Sequence, residues 1–256
     1  MTLLLLLALL LASLVVYCLF ILPTQWLKIE RVRHPLNLQL TILQISDLHV
    51  EMLRVSPERL LKLIHKETPD LIVLTGDFTR KERYLPRVEQ FLTRLKACGI
   101  PMYAVLGNHD YKMNDVRMLL RLLARLDIRV LRNESLQMDG FQLVGIDDYG
   151  SGHSRLPAAF RKVKPNVPAI ILTHDPNVVC ELRKPYSYLM SGHLHGKQFN
   201  LPFFFAIKRK GALPSKGIYK GLHQGNFGTF YISKGIGQAG LNCRFMVRSE
   251  VTLHYL

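Results

Sequence analysis

The first 22 positions, MTLLLLLALLLASLVVYCLFIL, are apolar but for Thr2 and Ser13, and no charged side chain occurs before Lys28. An uncharged run of this length is enough for one helix to cross a hydrocarbon core of about 30 Å. No basic segment precedes the run and no small-x-small cleavage pattern follows it, so residues 1–27 are expected to be a retained transmembrane anchor rather than a cleaved signal. Tyr17 and Trp26 suit the membrane interface. Lys28, Arg31 and Arg33 follow the span, and the positive-inside rule then puts the rest of the chain on the cytoplasmic face of the cell membrane, as a single-pass protein.

Beyond residue 28 the hydrophobic period changes. Residues 28–38 read as a short basic linker containing Pro35, and 39–256 as one domain. Short β-rich apolar runs alternate there with amphipathic stretches. Strands are expected at Leu40–Ile45, Asp70–Leu74, Pro101–Val105, Phe141–Ile146, Ala169–Leu172, Tyr188–Met190, Thr229–Ile232 and Glu250–Leu256. Helices are expected at Ser56–Lys66, with Ser56 as N-cap and Pro57 at the first position, at Arg83–Ala97 before Gly99, and at Asn114–Leu126. The order βαβαβα followed by mostly β predicts a layered α/β domain whose later strands pair antiparallel in a second sheet. The stretch 200–228 shows no period and reads as a long loop.

Composition narrows the function classes. The chain of 256 residues is 48% hydrophobic, which excludes a disordered protein, and its four cysteines are too few for a disulfide scaffold. Cys18, Cys98, Cys180 and Cys243 lack metal-binding spacing and are expected to be free, buried thiols. The net charge of +15 falls wholly on the part after the anchor and calls for an anionic partner: nucleic acid, a membrane surface or a phosphorylated substrate. No helix-turn-helix, RNA-recognition or zinc-finger pattern accompanies it, so nucleic acid is the least favoured of the three.

Five short motifs follow predicted strands: Asp47-Leu48-His49, Gly76-Asp77, Gly107-Asn108-His109-Asp110, His174-Asp175 and Gly192-His193-Leu194-His195. Loops at the carboxyl ends of strands converge in open α/β sheets, so residues spread along the chain can meet at one edge. Oxygen and imidazole donors without thiolate suit Mn²⁺, Fe, Zn²⁺ or Co²⁺. Asp47, His49, Asp77, Asn108, His174, His193 and His195 are too many for one ion, and two divalent ions about 3.5–4 Å apart sharing one carboxylate would accommodate them.

In that order the motifs resemble the calcineurin-like metallophosphoesterase superfamily. Gly192–Gln198 followed by Leu201-Pro202 is similar to the G-H-T-H-G-G-Q and L-P of its bacterial membrane-associated branch of phosphodiesterases and UDP-2,3-diacylglucosamine pyrophosphohydrolases, with Leu194 and Lys197 as departures. The resemblance implies a four-layer αββα sandwich behind the transmembrane helix. It implies two divalent metals, manganese foremost. Asp47, His49 and His195 would hold the first, Asn108, His174 and His193 the second, and Asp77 would bridge them. It further implies in-line attack by a metal-bridging hydroxide, with His109 protonating the leaving oxygen; Asp110 is expected to orient His109. Phosphoprotein phosphatases carry a second aspartate where this chain has Arg80, which argues against that class.

The expected substrate is a phosphodiester, pyrophosphate or phosphomonoester, small or lipid-linked, met at the membrane. The alternatives are a non-catalytic membrane-surface scaffold on the same fold and a nuclease. No oligomeric state is implied. Lys197 is a further candidate phosphate contact and His153 a candidate substrate-loop residue. Arg117, Arg121 and Arg125 read as a solvated helix face or as a strip against anionic lipid. Phe203-Phe204-Phe205 and Lys208-Arg209-Lys210 read as core or as a lipid or substrate contact.

Overall fold

The computed structural model describes residues 2–200 and 211–256. The first helix, α1 (Thr2–Val16), runs through one π-turn (Tyr17–Ile21) into α2 (Leu22–Gln25). Thr2–Gln25 is long and apolar enough to cross a membrane, with mean hydropathy 3.0. The residues read as a linker instead begin the domain: Lys28–Arg33 form β1, an edge strand. Alternating polar side chains hid it, because an edge strand with one solvated face carries little apolar signal.

The remaining strands are β2 (Thr41–Ile45), β3 (Leu71–Thr75), β4 (Met102–Val105), β5 (Ile128–Val130), β6 (Glu134–Gln137), β7 (Gln142–Gly145), β8 (Ala169–Leu172), β9 (Tyr188–Ser191), β10 (Gly221–Gln224), β11 (Thr229–Ile232) and β12 (Glu250–Tyr255). They form two sheets, ordered β1-β12-β2-β3-β4-β5 and β10-β11-β9-β8-β7-β6. The later strands do not pair mainly antiparallel as expected. β7, β8, β9 and β11 run parallel, and only the flanking β6 and β10 are antiparallel to their neighbours. Parallel strands need crossovers. The β7–β8 connection carries only a 4-residue helix, α6 (Leu156–Ala159), and the β8–β9 connection only a 3₁₀ turn (Pro176–Cys180), too short to leave a helical period in the sequence.

Side chains alternate between layers as the pleat requires. In β3, Leu71 and Val73 enter the core between the sheets, while Ile72 and Leu74 face α3 (Pro57–Glu67), α4 (Leu85–Lys96) and α5 (Val116–Arg125). In β8, Ile170 and Leu172 point to the same central core, and Ala169 and Ile171 pack outward towards α6 and α7 (Ala212–Ser215). The result is the expected αββα layering. Both sheets direct the carboxyl ends of β2, β3, β4, β8 and β9 towards one edge.

Candidate metal centre

The turns leaving those strands bring the seven expected ligands and His109 together. Asp47, His49, Asp77 and His195 are buried, and each offers a ligand atom within 4.8 Å of the others. His195 Nε2 lies 3.3 Å from Asp47 Oδ1, and His49 Nε2 lies 3.3 Å from Asp77 Oδ2. A second group adjoins it through the same oxygen: His174 Nε2 is 3.2 Å from Asp77 Oδ2 and 3.2 Å from Asn108 Oδ1. His193 Nδ1 is 3.1 Å from Asn108 Oδ1 and 3.2 Å from His174 Nε2. Asn108, His109 and His193 are only partly covered, so the cluster opens to solvent on their side.

The backbone is bent to make this possible. Asp47, His49, Asp77, His193 and His195 all take positive φ, between 40° and 71°. Such strain in non-glycine residues is held only where the surroundings over-determine it, and it concentrates at functional sites. The motif glycines allow the close approach. A Cβ at Gly107 would overlap the Asp77 carboxylate, and one at Gly192 would overlap Ser46 and Asp47.

Supporting residues fix His174, Asp47 and Asp77. His174 Nδ1 lies 2.8 Å from the Thr75 carbonyl, which can only accept, so the proton sits on Nδ1 and Nε2 faces the cluster. Ser46 donates to Asp47 Oδ2 at 2.6 Å, and the His109 N–H donates to Asp77 Oδ1 at 2.7 Å. Asp110 corrects an expectation. Its carboxylate does not reach the His109 ring; it accepts the N–H groups of Asp77, Phe78, Thr79 and Gly107 at 2.8–3.2 Å and so clamps the β3 and β4 turns together. Its position five residues past β4 makes it an acceptor of backbone donors, not a partner of the imidazole.

Three supports lay outside the expected set. Arg244, fully buried, donates to the Lys234 and Gly235 carbonyls at 2.9 and 3.0 Å. The same loop donates from Ile236 and Gly237 to the Ser46 and Asp47 carbonyls. The Gln198 amide gathers the carbonyls of Ala239, Leu241 and Cys243 at 2.9–3.1 Å. Gln44 binds Thr75 Oγ1 and the Ser191 carbonyl between the sheets. Of these, only Gln198 stood within a recognisable motif.

The electrostatics favour a cation. Burial alone would raise the Asp77 pKa, yet His174 and His49 hold it well below the ordinary carboxylate range. Burial alone would lower His174 and His49, yet the Asp77 and Asp47 charges push both up. Asp77 thus demands positive charge beside it, and His49 Nδ1 is buried without a hydrogen-bond partner. Oxygen and imidazole lone pairs converging in this way fit divalent metal ions. Burial drives His109 down to about 3, a neutral imidazole, despite the attraction of Asp77. Burial and the Asp77 charge push Asp110 up to about 7, against the pull of its N–H donors.

Other expectations resolve differently. Lys197 Nζ sits over the Tyr219 ring, 4.6 Å from its centroid. His153 stacks on Tyr111 with ring centroids 3.6 Å apart. Arg117 and Arg121 pair with Asp115, and Arg125 with Glu89, which makes α5 a compensated solvent face. The cysteines are free, but not buried: Cys18 is exposed and the other three are half-buried. Leu201-Pro202, Phe203–Phe205 and Lys208–Lys210 lie outside the described residues.

Comparison with known proteins agrees with this geometry. The family model for calcineurin-like phosphoesterases matches residues 40–197. An uncharacterized metallophosphoesterase of Bacillus subtilis, YkoQ, is 38% identical over 231 residues, covering 87% of this chain and 85% of that protein. The Chlamydia trachomatis protein named UDP-2,3-diacylglucosamine pyrophosphatase LpxG is 28% identical over 219 residues, covering 64% of this chain and 66% of its own. A solved crystal structure superposes with TM-score 0.52 at 12% identity, over 75% of this chain and 89% of that one, and so supports the fold alone.

Proposed function

The chain belongs to the calcineurin-like phosphoesterase family and is a hydrolase of phosphoric esters; from that premise we propose that it is a dinuclear-metal phosphoesterase working at a membrane. The observation that carries this reading is the sharing of one carboxylate oxygen: Asp77 Oδ2 stands 3.3 Å from His49 Nε2 and 3.2 Å from His174 Nε2. Asp47, His49 and His195 would hold one cation, Asn108, His174 and His193 the other, with Asp77 between them. Manganese is the first candidate, and Fe, Zn²⁺ and Co²⁺ suit the same donors. Two such ions supply Lewis acidity for the phosphoryl oxygens and acidify water.

The chain's own groups do the rest. Burial of Asp47, Asp77 and His49 excludes competing water. Asn108 and His193 form the rim through which a phosphoryl group enters. His109, held by its backbone to Asp77, presents its imidazole at that rim. A phosphoryl anion beside this ring offsets the burial that keeps it neutral, raises its proton affinity, and lets it protonate a leaving oxygen.

The substrate class is a phosphodiester, pyrophosphate or phosphomonoester, and the N-terminal helix favours one that is lipid-linked. The name of the Chlamydia relative, a pyrophosphatase acting on a lipid-linked nucleotide sugar, points the same way. The basic residues just past the helix support a cytoplasmic position for the domain by the positive-inside rule. Mn²⁺-stimulated hydrolysis of bis-p-nitrophenyl phosphate by the detergent-solubilised full chain tests the reading. Activity that Asp77→Ala abolishes supports it; metal-free, inactive protein with every divalent ion overturns it.

A further inference from the structure

The N-terminal helix is seated on the same edge of the molecule as the metal centre. β12 is antiparallel to β2, and β1 is parallel to β12, so Lys28 and Glu250 begin their strands at the edge where β2 ends. The helix therefore arrives beside the turns that carry Asp47 and His49.

The junction is built from those turns. Arg54, five residues past His49, donates to Thr24 Oγ1 at 3.1 Å and to the Asn242 carbonyl at 2.7 Å. Arg59 donates to the Gln25 carbonyl at 2.7 Å, and Arg248 to the Trp26 and Leu27 carbonyls at 3.0 and 3.1 Å. Arg59 caps the last carbonyl of the helix and Arg248 the two just beyond it, where a cation also complements the dipole. The three guanidiniums bind oxygens of the uncharged backbone and a hydroxyl, so their charges stay available to anions.

Residues 2–19 are all exposed, and Phe20 is the first to be partly covered. At about 1.5 Å per residue the exposed length is about 27 Å, close to the hydrocarbon thickness. Phe20 stacks on Phe245, with centroids 5.2 Å apart, and its carbonyl accepts the Arg244 N–H. The loop 239–248 thus meets the helix where the helix leaves the domain. Two large apolar side chains of that loop project outward, Leu241 at 63% and Met246 at 70% exposure. Trp26 is 54% exposed and lies under Arg248, 4.0 Å from ring centroid to guanidinium carbon. Trp26 is about 9 Å further along the chain axis than Phe20, which is headgroup depth if Phe20 marks the edge of the hydrocarbon.

Loop 239–248 is also tied to the metal centre. Gln198, three residues past His195, holds three of its carbonyls, and its own carbonyl accepts the Phe245 N–H. We propose that Leu241, Met246 and Trp26, ringed by Arg54, Arg59 and Arg248, form a docking face that seats the catalytic edge on the headgroup layer of the bilayer the helix enters. This rests on the membrane reading of the helix given above and goes beyond it, because a helix alone would leave the domain free to tilt away. A phosphoester at headgroup depth is then presented to the rim at Asn108 and His193.

The test uses the full chain in vesicles of phosphatidylcholine and phosphatidylglycerol with brominated acyl chains. Trp26 is the sole tryptophan, so Trp26→Phe combined with Met246→Trp, or with Leu241→Trp, reports on the loop alone. Either reporter should be quenched at least about twofold by bromines near the headgroup end, as for side chains about 5–10 Å into the interface. Trp26→Phe combined with Asp139→Trp, in the exposed turn between β6 and β7 at the opposite edge, should be unaffected. Equal fluorescence of both loop reporters in brominated and plain vesicles, with hydrolysis of soluble bis-p-nitrophenyl phosphate intact, overturns the docking face. Loop quenching without hydrolysis by the unmodified chain instead counts against the phosphoesterase reading and leaves the docking face standing.

Discussion

Asp77 Oδ2 lies 3.2 Å from His174 Nε2, whose ring is held from behind by the Thr75 carbonyl. A carboxylate oxygen facing an imidazole nitrogen whose ring proton sits on the far side is satisfied either by a second proton on that ring or by a cation between them, and a divalent ion displaces the proton. Asp77→Asn keeps the shape and removes the charge. It should lower divalent-ion affinity by at least about 100-fold, the upper range for losing even an outer partner of a metal site. Calorimetric titration with Mn²⁺ checks this, and an affinity within twofold of the unmodified chain would refute it.

His109 and Asp110 are neighbours with different duties. His109→Ala should cut turnover by about 10²–10⁴, as for loss of a general acid, with metal content unchanged. Asp110→Ala strands four buried N–H groups, each costing about 1–3 kcal/mol when unsatisfied. It should lower the thermal midpoint markedly and lose activity through the displaced β3 and β4 turns. Denaturation curves beside metal analysis separate the two; equal midpoints for both variants would contradict the clamp.

The layered fold and the residues that cluster at its edge were legible because their signals are local. LIVLT and AIILT are buried runs of strand length, and each motif follows one directly. What escaped had a non-local cause. β1 is strand-like only because β12 pairs with it, more than 200 residues away in sequence. The role of Asp110 depends on where the backbone of Thr79 and Gly107 comes to rest, which no spacing rule encodes. Arg244 stands in no motif, yet it is fully buried and props the loop under Asp47.

His254 provides a pH signature away from the metal centre. Its ring accepts from Tyr188 Oη at Nδ1 and donates from Nε2 to Gln44 Oε1, so both nitrogens are satisfied in the neutral state. Burial lowers its pKa to about 3, whereas an unfolded histidine titrates near 6.5. The unfolded chain therefore binds this proton more tightly. Its contribution to stability is complete above pH 6.5 and is lost as pH falls towards about 3, by up to about 1.4 kcal/mol per pH unit. Urea titrations between pH 4 and 7 should show a shallower decline for His254→Gln than for the unmodified chain; parallel declines would remove His254 from the account.

Metal binding should also stabilise the fold, because the ligands come from strands of both sheets. With free Mn²⁺ at about 100 times its dissociation constant the gain is about 2.7 kcal/mol. A rise in the unfolding midpoint with Mn²⁺, absent in Asp77→Asn, is the expected outcome. A midpoint indifferent to Mn²⁺ in the unmodified chain would count against a site joining the sheets.

The most direct measurement is the number of metal ions per chain in the purified full-length protein after Mn²⁺ loading and gel filtration, taken with its rate of bis-p-nitrophenyl phosphate hydrolysis. Two ions per chain and a rate that rises with the second is the predicted result. One ion or none at saturation, or a rate indifferent to occupancy, would contradict a centre in which Asp77 is shared between two cations.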